Sequence, residues 1–444
     1  MNADWPLIPL GELVEFRTGK LDSNAAVDSG KYPFFTCSPT TLLVDTYAFD
    51  TEAVLLAGNN ANGIFSVKYY QGKFNAYQRT YVITPKNSSR LSTKWLYFRI
   101  KHLTSELQQM SVGSATKFLT KKILDAYQIQ LPSIDVQEYQ SGILWSLQNK
   151  IDMNAEINQT LEQMAQAIFK SWFVDFEPVK AKIAVLEAGG SAENALLAAM
   201  QAISGKSEVL LNQLQTEQPE QYAELRATAE LFPSAMQESE LGEIPEGWDA
   251  STIGQSFILT MGQSPPGDTY NEIGEGVPFY QGRTDFGFRF PIQRVFCTEP
   301  TRLAQTRDSL VSVRAPVGDV NVALQQCALG RGVAGLRHPK GHQSFVFYSA
   351  RSLKLHFELY NGEGTVFGSI NKKDFQNLPI VIPSANALKA FENTVAPLDS
   401  RIETNEHIIR TLSELRGTLL LKLLSGELRL PEAEAQIQEA ADAV

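Results

Sequence analysis

Apolar residues recur at alternating steps of three and four along two stretches of the chain. Leu147, Ile151, Asn154, Leu161 and Ile168 mark the first line, and Leu398, Ile402, Asn405, Leu412 and Leu419 mark the second. The spacing predicts two helices, each with one stripe of coiled-coil type. The stretches are copies: residues 113–173 return as 364–424 at a constant offset of 251, with Gly113/Gly364, Lys121/Lys372, Lys122/Lys373, Ile129/Ile380, Pro132/Pro383, Ser133/Ser384 and Asn154/Asn405 identical. Each copy is entered through Pro-Ser, and Asp135 with Glu138 is expected to form a capping box at the first. Roughly 40 residues of helix would follow, about 60 Å at 1.5 Å per residue. A single-striped helix is marginal alone in water, so the two are expected to pack together. Asn154 and Asn405 would then lie in the seam, where a polar pair fixes register at some cost in stability. Pro397 replaces Ser146 of the first copy and predicts a kink or break near Ala396, because proline removes a helical hydrogen bond.

Outside these stretches the apolar period shortens. In residues 1–112, the aromatic and β-branched runs Tyr32–Phe35, 53–56, 64–70 and 79–84 are separated by Gly, Asn, Asp and Pro, which predicts a compact, mostly-β domain. A helical piece is expected over Thr93–Met110. Residues 245–363 repeat this domain more loosely. Trp5, Gly11 and Gly19 match Trp248, Gly254 and Gly262, and Tyr32-Pro33-Phe34-Phe35 matches Val277-Pro278-Phe279-Tyr280. Between the halves, residues 174–244 are Ala/Glu/Gln-rich with breaks at Gly189-Gly190, Gly205 and Pro219, as expected of short helices joined by loops. Residues 431–444, acidic and alanine-rich, are expected to be frayed.

The chain of 444 residues is too long for one ordinary domain, and three or more units are expected. Its net charge of -10 argues against nucleic acid until it is located. Residues 174–244 hold 12 Asp/Glu against 4 Lys/Arg, and residues 425–444 hold 5 against 1. The two globular segments are therefore neutral to slightly basic, which permits a basic face on each. Cys37, Cys297 and Cys327 are odd in number and in no metal-ligand spacing, which points to a reducing cytoplasm without disulfides or zinc. Neither a leader-like N-terminus nor a membrane-length apolar run is seen.

Candidate chemistry is polar rather than catalytic. The amide-dense loop with Asn59, Asn60 and Asn62 fits both an ordinary turn and a groove-reading loop, since Asn pairs bidentately with adenine. Lys68, Lys73, Gln78, Arg79 and Lys117 interleave with Tyr69, Tyr70, Phe74 and Tyr77, a pattern that suits a phosphate-facing surface or a solvated strand face equally. The second domain carries arginines instead, among them Arg283, Arg289, Arg294, Arg302, Arg307, Arg314 and Arg331. Arginine points toward guanine where asparagine points toward adenine. Gly205-Lys206-Ser207 has Met200 where a phosphate loop needs its first glycine, and no lysine has an acid two residues before it as metal-dependent nucleases require. Ser264-Pro265-Pro266-Gly267 lacks the aromatic residue of an amino-methyltransferase motif and is read as a turn. His102, His338, His342, His356 and His407 show no spacing suited to acid–base work or zinc.

A globular domain followed by a long helix, twice over, resembles the specificity subunit of type I restriction-modification enzymes. The resemblance is carried by Trp5 to Gly11 with Gly19, by the 55–65 loop region, by Lys121-Lys122 through Pro132, and by Asn149-Lys150-Ile151-Asp152-x-Asn154. The stretch 169–178 and Leu241-Gly242-Glu243-Ile244-Pro245-Glu246-Gly247-Trp248 are its most distinctive parts. It implies an α+β fold with a pseudo-twofold internal repeat: a target recognition domain in 1–132, a spacer helix in 133–177, an acidic helical connector in 178–244, a second recognition domain in 245–383, a second helix in 384–426 antiparallel to the first, and an acidic tail in 427–444. It further implies a non-catalytic, cytoplasmic reader of double-stranded DNA, in which each domain binds one half of a bipartite site and the helices set the gap. Two methyltransferase subunits and the restriction subunits would be its partners. S-adenosylmethionine, ATP and magnesium would reside on them. The competing reading, a coiled-coil scaffold without a DNA role, explains the helices but not why two similar domains share a frame and differ in polar residues.

Overall fold

The computed structural model of the chain describes residues 5–60, 65–113, 116–361 and 368–427. Asn62, Gly364 and the tail from residue 428 lie outside the described residues. The fold is α+β, and its contacts gather into two compact units, Met1–Asn154 with His407–Val444, and Ala155–Glu406.

The first unit is built on a six-stranded sheet in the order Val14–Thr18, Thr80–Pro85, Phe49–Ala57, Val67–Ala76, Tyr32–Phe35, Leu42–Val44. Every pairing is antiparallel except that of Tyr32–Phe35 with the end of Val67–Ala76. Alternation along the Phe49–Ala57 strand sends Val54 and Leu56 to one face and Ala53 and Leu55 to the other, so both faces carry a core. The larger core receives the helix Thr93–Met110, capped by Ser92, whose Oγ accepts from Trp95 N at 3.5 Å. Trp95 is fully buried, and its indole N–H donates to Gln140 Oε1 at 2.8 Å; Gln140 Nε2 in turn donates to Leu423 O at 2.6 Å. Leu144, Leu147, Leu419 and Leu423 enter the same core. Within this unit the two long helices run antiparallel, with Gln140 beside Leu423 and Gln148 beside Arg416.

The second unit holds a four-stranded sheet, Ile258–Met261, Val333–Arg337, Ser309–Val313, Val317–Val322, and a five-stranded one, Tyr270–Asn271, Phe296–Cys297, Val277–Tyr280, Cys327–Leu329, Leu303–Ala304. One ten-residue strand of the first domain, Val67–Ala76, is thus replaced by two shorter ones, Val317–Val322 and Cys327–Leu329. Phe169, Trp172 and Phe173 of the first long helix pack on Phe345 and Tyr348 of the domain and on Phe391 of the second helix. Four helices, Glu177–Glu187, Ala192–Ser204, Glu208–Glu217 and Pro219–Glu230, form the connector, and the last three close a small core of Leu196, Ala199, Met200, Leu211 and Ala229.

The long helices cover Ile134–Phe173 and Ala385–Leu424. Four expectations about them are corrected. The first helix starts at Ile134, so Asp135 lies inside its first turn and favours the helix dipole rather than forming a capping box. No break occurs at Pro397, which is exposed in a continuous helix; the carbonyl of Asn393, deprived of its N–H, is also on the exposed side and open to water. Asn154 is not the seam residue, because its Nδ2 donates to Lys150 O of its own helix at 2.7 Å. Asn158 is the buried one, and it accepts from Asn405 Nδ2 at 2.8 Å within the second unit. Finally, the buried line of the first helix passes through Asn158, Glu162, Ala165 and Phe169, leaving Leu161 and Ile168 half-buried. A straight helix of 3.6 residues per turn drifts about 20° per heptad from a strict 3.5 repeat, which moves the stripe by one residue over this length. In the second helix Ile402, Asn405 and Leu419 are buried and Leu398 and Leu412 half-buried, as expected of a seam.

The repeated glycines have matching causes. A Cβ on Gly11 would stand 3.0 Å from Asp125 Cα, and one on Gly254 2.8 Å from Gln376 Cβ, the residue 251 positions further on. On Gly19 it would meet Ala76 O at 1.6 Å, and on Gly262 the Gly330 O at 2.1 Å. No side chain fits at these approaches.

Candidate nucleic-acid interface

In the first domain the strand Asn59–Asn60 pairs with Lys117–Phe118, setting Asn59 against Phe118 and Asn60 against Lys117. A backbone bond from Gly58 N to Arg79 O, 2.8 Å, brings the Gln78-Arg79 turn alongside, and the Arg79 guanidinium lies 5.7 Å from the Phe118 ring. Asn59, Asn60, Gln78, Arg79 and Lys117 therefore share one patch. Sequence reasoning missed Cys37, whose thiol donates to Asn59 Oδ1 at 3.0 Å and holds that amide in place. Nothing in the residue type could have announced it.

The Lys–Tyr alternation divides. Lys68 and Tyr70 belong with the smaller core, where the Lys68 ammonium lies 5.6 Å from the Phe35 ring, and burial draws its pKa below the usual lysine value. Tyr69 turns to the other face, against Trp145 with ring centroids 4.6 Å apart. Its hydroxyl donates to Glu52 Oε1 at 2.7 Å, and burial together with that carboxylate raises its pKa far above the ordinary phenol range. Lys73 is exposed, with its ammonium 4.8 Å from the Tyr47 ring. An open cleft of about 590 Å3 separates Lys68 and Tyr69 from Gln148 and Asp152.

The second domain has an open cleft of about 600 Å3, whose lining includes Ser264, Gln281, Arg283, Arg314 and Arg331. All three arginines are exposed. Arg283 pairs with Asp319 at 2.5 Å; Arg314 and Arg331 form no ion pair among the described residues. Arg294 supports the cleft from outside by pairing with Asp285 at 2.5 Å, while Asp285 accepts from Gln281 N at 2.8 Å. Ser264, dismissed in the sequence as part of a proline turn, accepts from Arg331 N at 3.4 Å.

Arg289 is corrected outright: it is not on a surface. Only 3% of its side chain is exposed; it pairs with Glu162 and, at 2.8 Å, with Asp399, donates to the Tyr348 hydroxyl at 2.9 Å, and stacks 4.1 Å from the Phe347 ring. Burial alone would lower its pKa, but Tyr348, Asp399 and Glu162 outweigh it and hold the charge. Arg351 also pairs with Glu162. His338 and His342, unlinked in sequence, stand 4.7 Å apart between ring centroids. Among the described residues no group of three or more His, Cys, Asp or Glu could hold a metal ion, and no helix is long and apolar enough to cross a membrane.

The two patches superimpose by their backbone bonds. Tyr77 N donates to Phe35 O at 2.9 Å as Gly330 N does to Tyr280 O at 2.8 Å; Gly58 N donates to Arg79 O at 2.8 Å as Val313 N does to Gly332 O at 2.9 Å; Leu119 N donates to Gly58 O at 2.9 Å as Ile370 N does to Val313 O at 3.1 Å. One frame, used twice, thus presents amides with Arg79 and Lys117 in one copy and Arg283, Arg314 and Arg331 in the other.

Such a duplicated frame, each copy continued into a long helix, defines a modular α+β protein with an internal repeat. A family profile described as the type I restriction modification DNA specificity domain matches residues 2–163. The HindI specificity subunit of the type I restriction enzyme of Haemophilus influenzae is 31% identical over 374 residues, 78% of this chain and 80% of that protein. A relative from Methanocaldococcus jannaschii is 38% identical over 200 residues, 44% of this chain, and the match spans about half, 47%, of that relative's length. In three dimensions the type I restriction-modification S subunit of M. genitalium matches with a TM-score of 0.55 at 14% identity, over 95% of this chain and 96% of its own. The chain belongs to the family of type I restriction enzyme specificity subunits.

Proposed function

We propose that this chain is the DNA-reading subunit of a type I restriction-modification complex and is not itself catalytic. Each globular domain binds one half of an asymmetric bipartite site in double-stranded DNA, and the paired helices set the unread gap and dock two methyltransferase subunits, to which restriction subunits add. S-adenosylmethionine, ATP and magnesium belong to those partners. The observation that carries the reading is the twice-used frame, which shares three matched backbone bonds and differs in the polar side chains it displays. A scaffold would have no reason to preserve one while varying the other. Side chains facing base edges specify, whereas lysines and arginines facing phosphate position.

The test is methyladenine mapping at single-base resolution in cells expressing this chain with its methyltransferase subunit, against cells lacking it. A single split motif that vanishes without the chain is expected. Replacing residues 1–112 with those of a relative should then change one half of that motif only. A change in both halves, or no chain-dependent methylation with the partner shown to be active, refutes the reading.

A further inference from the structure

The three shared backbone bonds fix more than a common frame: they put Asn59 of the first domain where Arg314 stands in the second, and Gln78 where Arg331 stands. We propose that these matched positions are the base-selecting ones, and that the half-site read by the first domain carries an A·T pair there while the half-site read by the second carries a G·C pair. The inference rests on the DNA-reading function above.

The chemistry differs at the two positions in a directed way. A carboxamide offers an acceptor and a donor in one plane, which match the N6 amino group and N7 of adenine. A guanidinium offers two parallel donors, which match O6 and N7 of guanine. Both arginines are exposed on an open cleft and free of carboxylates among the described residues, unlike Arg283 with Asp319 and Arg294 with Asp285. The amides are oriented instead of idle. Asn59 Oδ1 accepts from Cys37 at 3.0 Å, and Gln78 Nε2 donates to Asp22 Oδ2 at 3.2 Å. Each amide has about four bonding sites, so one such bond fixes its plane and leaves capacity for a base edge. Arg283 and Arg294, tied to carboxylates, shape the second cleft without selecting.

The complex of full-length chain and methyltransferase subunit serves for the test. Its methylation motif is mapped for wild type, Arg314→Gln, Arg331→Gln, Asn59→Ala and Gln78→Ala, and the purified complexes are titrated with duplexes of the wild-type motif in which one base pair at a time is exchanged. At least one arginine variant should cease to demand a G·C pair in one half, with affinity for the original duplex reduced roughly 5- to 150-fold and the other half read as before. At least one amide variant should relax an A·T pair in the opposite half. Assembly is checked by co-purification, and an arginine variant that fails it is replaced by Arg→Lys, which keeps the charge without the fork. Arginine variants that relax an A·T pair, leave motif and affinity unchanged, or weaken all duplexes equally, as a phosphate contact would, overturn the inference and leave the DNA-reading function standing. A wild-type motif without a G·C pair in either half overturns it with no variant needed. Absence of any chain-dependent methylation overturns the function itself.

Discussion

Arg289→Met separates a structural arginine from a base reader. The substitution removes the cation facing two carboxylates in the second unit, where the side-chain exposures are 3% for Arg289, 7% for Glu162 and 20% for Asp399. Deleting one member of a buried ion pair typically costs about 3–5 kcal/mol, because the other is left charged and uncompensated. Here compensation is partial: Glu162 keeps Arg351, and Asp399 keeps the hydroxyls of Ser344 at 2.7 Å and Tyr348 at 3.0 Å. The lower end, about 3 kcal/mol, is therefore expected. For a unit of about 250 residues this corresponds to a fall of roughly 6–12 °C in the midpoint of its thermal transition, readable by calorimetry. Glu162→Gln should couple to it, the double variant losing roughly 0.5–3 kcal/mol less than the sum of the singles. At a temperature where the variant is folded, its methylation motif should equal that of the wild type. A loss below about 1 kcal/mol, or an altered motif in the folded variant, would refute the argument.

Three further outcomes are expected. Asn158→Ala leaves the Asn405 amide buried without its partner and should destabilise the second unit by about 1–3 kcal/mol in urea titration, whereas Asn154→Ala, on an amide bonded only within its own helix, should stay within about 0.5 kcal/mol. Gln140→Leu orphans the Trp95 indole N–H and leaves the Leu423 carbonyl with the longer bond from Gly426 N, 3.2 Å, and should cost the first unit roughly 1–3 kcal/mol, with a shift in tryptophan fluorescence. Acid should weaken the second unit through His338, whose pKa is pushed down to about 4 by burial and by His342 and Lys340. Its Nδ1 accepts from Lys340 N at 3.0 Å and must stay unprotonated, while the unfolded chain takes up the proton near pH 6.5; stability is thus lost as pH falls from about 6.5 toward 4, and His338→Gln should flatten that slope.

The parts legible in the sequence were those set by local pattern. The long helices, the helix Thr93–Met110, and the breaks at Gly189-Gly190, Gly205 and Pro219 follow from periodicity and helix-stop residues, and the structure has them there. The seam was misplaced at Asn154 because a heptad template holds a strict 3.5 repeat, while the real stripe is set by what each turn packs against: Glu162 faces Arg289 and Arg351, which no periodicity encodes. Arg289 was misread for the same reason. Residue type alone cannot tell a guanidinium on a cleft from one between two carboxylates 127 and 110 positions away in sequence. Asn59, Gln78 and Lys117 were legible in the sequence as separate residues but not as one place, since their neighbourhood depends on strand pairing between positions far apart. The Lys–Tyr alternation misled by treating a strand with a core on each face as one with a wet face.

The first unit is assembled from both ends of the chain: its core holds Leu10, Val54 and Trp95 together with Leu419, Leu423 and Leu424, whereas the second unit is one uninterrupted segment, Ala155–Glu406. During synthesis the two cannot be completed in the order of their numbering. Some 250 residues must be made after Asn154 before the missing wall of the first core leaves the ribosome, roughly 15 to 50 s at ordinary translation rates. The second unit has its whole sequence in hand earlier. The half that is begun first is finished last, and a ribosome that stalls near residue 407 releases a chain with one complete domain and one whose leucine core stands open to water.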